Sequence, residues 1–253
     1  MSHDHGSGSG VPIATPDPLP WRPVPGAEAP ADRARDAAAL AAILDAAAAG
    51  TYPPPDGTVK ILRQPSDRDA GAISFTGCAV VFADADPHWI AEQLPPGDLS
   101  APLSAMFLAA LGQRLRRRSH SVDMLTCAAA LPGPPPTAVP LVELGRSAGP
   151  GHPRLARALR YRDDVRCWQA PGGIVLIGRG VAGRWEVAME VHPDQRGRGL
   201  GTWLATAARH LVPGGAPLWA QIAPANAASV RAFLAAGFRP VGAEALLSSG
   251  QPQ

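Results

Sequence analysis

The long apolar, alanine-rich run in ADRARDAAALAAILDAAAAG, residues 31–50, reads as a helix that stops at Gly50. TYPPPDG then breaks the chain. TVKIL and AISFTGCAVVFA carry the β-branched and aromatic residues of strands. HWIAEQL and APLSAMFLAALGQRLRRR read as helices. In the second, Leu103, Met106, Phe107, Ala110 and Leu111 form one stripe. SVDMLTCAA reads as a third strand. After the proline-rich stretch LPGPPPTAVP, residues 131–140, the predicted order is AVPLVEL (strand), HPRLARALRYR (helix), DVRCWQA, GIVLIGRG and RWEVAMEV (strands). A glycine loop and a helix follow, then PLWAQIA (strand), a helix and RPVGAEALL (strand). Strands mixed with helices in this way predict an α/β fold, a mixed sheet flanked by helices.

The same pattern suggests an organisation. Residues 1–30, rich in Gly, Ser and Pro, read as an extended or disordered tail that includes His3 and His5. Residues 31–131 form a smaller N-terminal α/β region of unassigned role. Residues 132–136 are a linker, 137–246 a second α/β domain, and 247–253 a tail. Hydrophobic residues make up 46% of the 253, enough for a sizeable core. A net charge of +2 disfavours a dedicated nucleic-acid binder. Lys60 is the only lysine, so the surface cations are guanidinium forks. The run Arg114, Arg116, Arg117 and Arg118 reads as a basic last helical turn rather than a phosphate site.

Cys78, Cys127 and Cys167 are odd in number and far apart, so neither a disulfide framework nor a metal site is expected. MSHDHGSGSG lacks the basic and apolar stretches of a secretion signal. No apolar run approaches the ~20 residues of a membrane helix. The expectation is a soluble cytoplasmic protein away from membranes, with homo-oligomer formation left open.

The glycine loop is Arg196-Gly197-Arg198-Gly199-Leu200-Gly201. A dinucleotide loop needs a third glycine at residue 202 or 204, where Thr202 and Leu204 stand. A P-loop needs a lysine, and none is present here. Leu200, Trp203, Leu204, Ala207, Ala208 and Leu211 follow as the buried stripe of a helix. The glycines therefore sit between a strand and a helix N-terminus, where free N–H groups and the helix dipole favour an anion.

This stretch resembles the acetyl-CoA motif of the GNAT superfamily of N-acetyltransferases. In that motif an apolar strand with Val-x-Pro, here Val191-His192-Pro193, precedes Arg or Gln, two residues, Gly, one residue, and Gly or Ala. A second family element begins one strand later. It is Asn226-Ala-Ala-Ser229, running through Phe233 to Gly237-Phe238. The resemblance covers about residues 137–246 and implies the GNAT acyl-CoA fold there. It implies acetyl-CoA as cosubstrate, no metal, and an amine of a small molecule or peptide as acceptor. Backbone groups of Met189 and Val191 would meet the pantetheine. Arg196, Gly197, Arg198, Gly199, Gly201 and Thr202 would hold the pyrophosphate, with Asn226 and Ser229 contacting the CoA arm.

For proton removal from the amine, Glu186 and Glu190 are the candidates. They share strand parity, and many family members carry a catalytic glutamate near the position of Glu186. Many members also carry a tyrosine acid where Phe233 stands, and phenylalanine cannot donate a proton. Tyr161 and His192 are the substitutes by residue type. The second reading is a CoA-binding regulatory or structural module with little catalysis. For residues 31–131 two roles stay open, completion of the acceptor pocket or a degenerate second transferase half.

Overall fold

The computed structural model describes residues 30–144 and 152–249. The expected tails, with His3 and His5, lie outside the described residues except at their inner ends. Pro30 opens the first helix, and Leu247 and Ser248 belong to the last strand.

In chain order the N-terminal elements are α1 (Pro30–Ala48), β1 (Val59–Leu62), β2 (Ala70–Phe75), β3 (Cys78–Phe82), α2 (Pro87–Glu92), α3 (Ala105–Leu115), β4 (Arg118–Ser119) and β5 (Asp123–Ala128). The later elements are β6 (Val142–Leu144), α4 (Pro153–Tyr161), β7 (Asp163–Ala170), β8 (Gly173–Arg179), β9 (Trp185–Val191), α5 (Leu200–Leu211), β10 (Leu218–Ile222), α6 (Ala227–Ala235) and β11 (Arg239–Ser248). The pattern located these elements well. The run AISFTGCAVVFA splits at Thr76-Gly77 into the hairpin β2–β3. The stretch RLRRR closes α3: Arg116 takes a left-handed conformation, Arg114 stacks on Trp89, and Arg117 donates to the carbonyls of Arg68 and Asp67.

One mixed sheet of eleven strands joins the described residues, in the order β1-β3-β2-β11-β5-β10-β9-β8-β7-β6, with β4 beside β11. β5 stands before the proline-rich stretch in sequence, yet it lies between β10 and β11 and pairs antiparallel with both. The stretch therefore does not separate one sheet from another. It is also tied down, since Leu131 N–H donates to the Arg209 carbonyl at 2.9 Å and Arg209 Nε to the Ala129 carbonyl at 2.9 Å.

Strand parity decides what covers each face. Leu218, Ala220 and Ile222 of β10 meet α5 and α6. Trp219 points the other way and joins Leu125, Cys127 and the α1 residues Leu40, Leu44 and Ala47. α4 covers Ile174, Leu176 and Ala188 through Leu155 and Ala158. α2 and α3 close the opposite side of the N-terminal strands, over Ala72, Val81 and Ala245. No helix among the described residues is long and apolar enough to cross a membrane.

Leu125, fully buried on the shared strand, offers a test of this continuity. Leu125→Ala is expected to cost about 2–5 kcal/mol. The protein should melt in one cooperative transition before and after the change. Two separable transitions in calorimetry, with only one shifted, would contradict a shared core.

Candidate active site

β9 pairs with β8 along its whole length, from Arg179 opposite Trp185 to Gly173 opposite Val191. Its pairing with β10 is brief. Only Leu218–Trp185 and Trp219–Glu186 are in register, and the two parallel strands then diverge. The gap is a cleft of about 630 Å³ walled by β9, β10, α4 and α6. One edge of β9 is thus left without a neighbouring strand. The His192 N–H donates to the Gly172 carbonyl at 2.8 Å, on the β8 side. Backbone groups alternate along an antiparallel strand, so those of Met189 and Val191 face the open edge. The Val191 carbonyl accepts from Arg196 Nε at 3.3 Å, consistent with that alternation.

The glycine loop lies at the end of this edge. A short 3₁₀ turn, Pro193–Gln195, leads into it. Gly197 (φ 76°) and Gly199 (φ 83°) are both left-handed, with open space where a Cβ would stand. Backbone conformation, not crowding, is what requires glycine at these two positions. Gly199 caps α5 without any side-chain bond. The Trp203 N–H reaches the Gly199 carbonyl at 3.0 Å, so the N–H groups of Leu200, Gly201 and Thr202 lie ahead of the helical ladder. Arg198 is exposed and has no ion pair among the described residues. A Cβ placed on Gly201 would lie within 4 Å of Met189 and Val191, so the loop abuts the open edge.

α6 forms the adjoining wall. Asn226 caps it, accepting from the Ser229 N–H at 3.1 Å, and both residues line the cleft. Phe233 also lines it and packs edge-on against Phe238 at 4.9 Å. Across the cleft stands Tyr161 at the end of α4, whereas His192 is absent from the lining.

The floor of the cleft is a buried charge network. Glu186 is 3% exposed. Its Oε1 accepts from Arg184 Nε at 2.9 Å, Gln221 Nε2 at 3.1 Å and the Val181 N–H at 3.3 Å. Its Oε2 accepts from Arg162 Nε at 3.0 Å. Arg184 also donates to Glu244 Oε2 at 2.7 Å, and Gln221 to the same oxygen at 2.8 Å. Burial pushes the Glu186 carboxyl up, but Arg184 and Arg162 outweigh it and hold the group below its ordinary range. Glu244 has one such cation rather than two, and burial keeps it above that range.

Gly180 belongs to the same arrangement, because an added Cβ would collide with the Glu186 carboxyl group. Glu190 shares the face of Glu186 but is half-buried. Arg154 binds it at 3.0 Å and lowers its carboxyl, against a smaller effect of burial.

The two glutamates are therefore unlike. Glu186 is a saturated acceptor, and a proton on it would break contacts to two guanidinium groups. Glu190 reaches solvent. Arg162, Arg184, Gln221 and Glu244 were not legible as site residues. The one signal was a lone acid in the apolar run Gly242-Ala-Glu244-Ala-Leu-Leu247.

A lowered carboxyl stabilises the fold fully above its unfolded value and loses that contribution as pH falls through its folded value. Glu186→Gln should therefore lower the melting temperature at neutral pH. Its difference from the parent should shrink below the ordinary glutamate value of 4.5. Gly180→Ala should destabilise as well, by displacing the carboxylate. Melting curves across pH check both, and a difference that grows on acidification would contradict the role given to Glu186.

The model of the acetyltransferase (GNAT) family matches residues 158–238. No curated protein matches the chain significantly in sequence. Among solved structures, a GCN5-related N-acetyltransferase from Kribbella flavida superposes with a TM-score of 0.40 at 18% identity, covering 57% of this chain and 64% of that one. A protein from Novosphingobium aromaticivorans assigned to the GNAT family gives 0.40 at 22% identity, covering 53% and 68%. A tandem GNAT protein from the clavulanic acid biosynthesis pathway gives 0.35 at 17% identity, covering 57% and 59%. The chain thus spans a little under two thirds of the Kribbella protein. The matched residues run from the end of α4 to the residue before β11 and include the glycine loop, the diverging strands and the α6 cap, so residues 158–238 correspond to a GNAT acetyltransferase domain.

Proposed function

We propose that this protein transfers an acetyl group from acetyl-CoA to an amine of a small molecule or peptide. The observation that carries the reading is the open edge of β9 ending on the N-terminus of α5, whose cap Gly199 offers no side-chain bond. Met189 and Val191 offer backbone groups there to an extended amide-bearing arm. The N–H groups ahead of the α5 ladder, among them those of Gly201 and Thr202, suit a pyrophosphate, as does the helix dipole. Gly197 and Gly199 keep the approach clear, and Arg196 and Arg198 add positive charge. Asn226 and Ser229 border the same arm across the cleft. The cosubstrate supplies an acyl group activated as a thioester, which a neutral amine attacks.

In this reading Glu186 holds the floor of the cleft rather than a substrate proton. Glu190, nearer solvent on the same face, relays the proton from the amine. Tyr161 is the phenol lining the cleft among the described residues, and it takes the acid's place left empty by Phe233. Three buried, unpaired cysteines suit a reducing cytoplasm.

A second reading, a CoA-binding module with little catalysis, is favoured by Phe233. A buried ring packed on Phe238 stands where many relatives keep a hydroxyl.

Acetyl-CoA should raise the melting temperature of the protein, and Gly199→Glu should abolish that rise. Thiol release with a panel of amines then separates the two readings. Release that falls in Glu190→Gln and Tyr161→Phe, with melting temperature unchanged, supports transfer. A thermal shift with no release from any amine supports the binding module. No shift with acetyl-CoA, in parent and variant alike, would refute both.

A further inference from the structure

Asp123 and Glu244 face each other across the β5–β11 pair in direct register. Both line the cleft. Cross-strand partners have side chains about 5 Å apart, and like charges so placed repel. Each residue keeps one buried oxygen with no hydrogen-bond partner, Oδ1 of Asp123 and Oε1 of Glu244. Glu244 is 1% exposed, and its other oxygen is held by Arg184 and Gln221, which fixes the direction of the carboxylate. Buried acceptors without donors are uncommon and call for an explanation.

The neighbouring cations do not bond these two oxygens, although Arg184, held by Glu244 through Nη2, also keeps Nη1 buried without a partner. Arg162 is committed to Glu186, Arg154 to Glu190 and Arg68 to Asp163. Arg157 leans on the ring of Tyr161, and His120 is exposed. Asp123 has no ion pair among the described residues.

We infer that Asp123 and Glu244 receive the acceptor as a protonated aliphatic amine on the floor of the cleft, and that this amine gives one proton to the Glu190 relay before it attacks the thioester as the neutral base. The inference rests on the transfer reading above and narrows its substrate class to cations. An ammonium group has three donors and one positive charge, so it answers both unpartnered oxygens and the repulsion between them. β5 comes from the N-terminal region, so that region supplies half of the acceptor site.

The test uses the full chain with acetyl-CoA and aliphatic primary amines from methylamine to spermidine. It adds the isomers benzylamine, a cation at neutral pH, and p-toluidine, which is neutral. Thiol release gives KM for each amine, and titration calorimetry of each amine gives its affinity with and without acetyl-CoA. Cations should be bound and p-toluidine should not. Asp123→Asn and Glu244→Gln should each raise the amine KM, or weaken amine binding, by about tenfold or more. The KM for acetyl-CoA and its thermal shift should stay as in the parent, which a merely structural role would not ensure. Should Glu244→Gln fail to fold, the half-buried Asp123→Asn decides alone.

Equal use of p-toluidine, an unchanged amine KM in Asp123→Asn, or no binding by any cation of the panel would overturn the inference. If acetyl-CoA gives no thermal shift, the transfer reading fails separately, and direct amine titration still decides the ammonium site.

Discussion

Arg184 is a guanidinium buried in the protein interior beside the indole of Trp219, and a buried charge without partners would be far too costly to keep. Its neutralisation organises the floor of the cleft. Glu186 lies two residues on, within β9, and Glu244 comes from β11, sixty residues away in sequence. Arg162 then balances the second carboxylate from the end of α4. Four charges from three elements are thus joined where β9 and β10 stop pairing.

The opening has two consequences of different kinds. It bares the Met189 and Val191 backbone to a ligand, which is a matter of strand alternation. It also ends on the N-terminus of α5, where glycine conformations leave peptide N–H groups unused by the helix. Neither feature alone would favour a particular ligand. An open strand edge suits an extended amide chain, and a helix N-terminus suits an anion. Their adjacency suits a molecule that combines an amide chain with an anion, which is the shape of the reading proposed for the site.

The N-terminal region is more than an accessory to this arrangement. β5 fills the place between β10 and β11, and its outward parity puts Leu125 and Cys127 under α1 while Asp123 joins the cleft. The proline-rich stretch after it marks a change of direction in the chain, not a gap between cores. Proline content is a local property, whereas strand pairing across the stretch is not, so composition pointed to a boundary that hydrogen bonding bridges.

The sequence by itself determined the local features. Helical and strand periods placed nearly every element, the glycine register at residues 197–201 excluded two of the phosphate loops, and the ordered motifs around Arg196 and Asn226 pointed to the family that the comparison then found. These signals were legible because each depends on residues within a turn or two of one another. Only the tertiary structure decided what Glu186 is bonded to, that Asp123 stands opposite Glu244, and that β5 completes the later strands. Those facts arise from register between segments distant in sequence. Register follows from the packing of whole faces, and no spacing within a single segment encodes it.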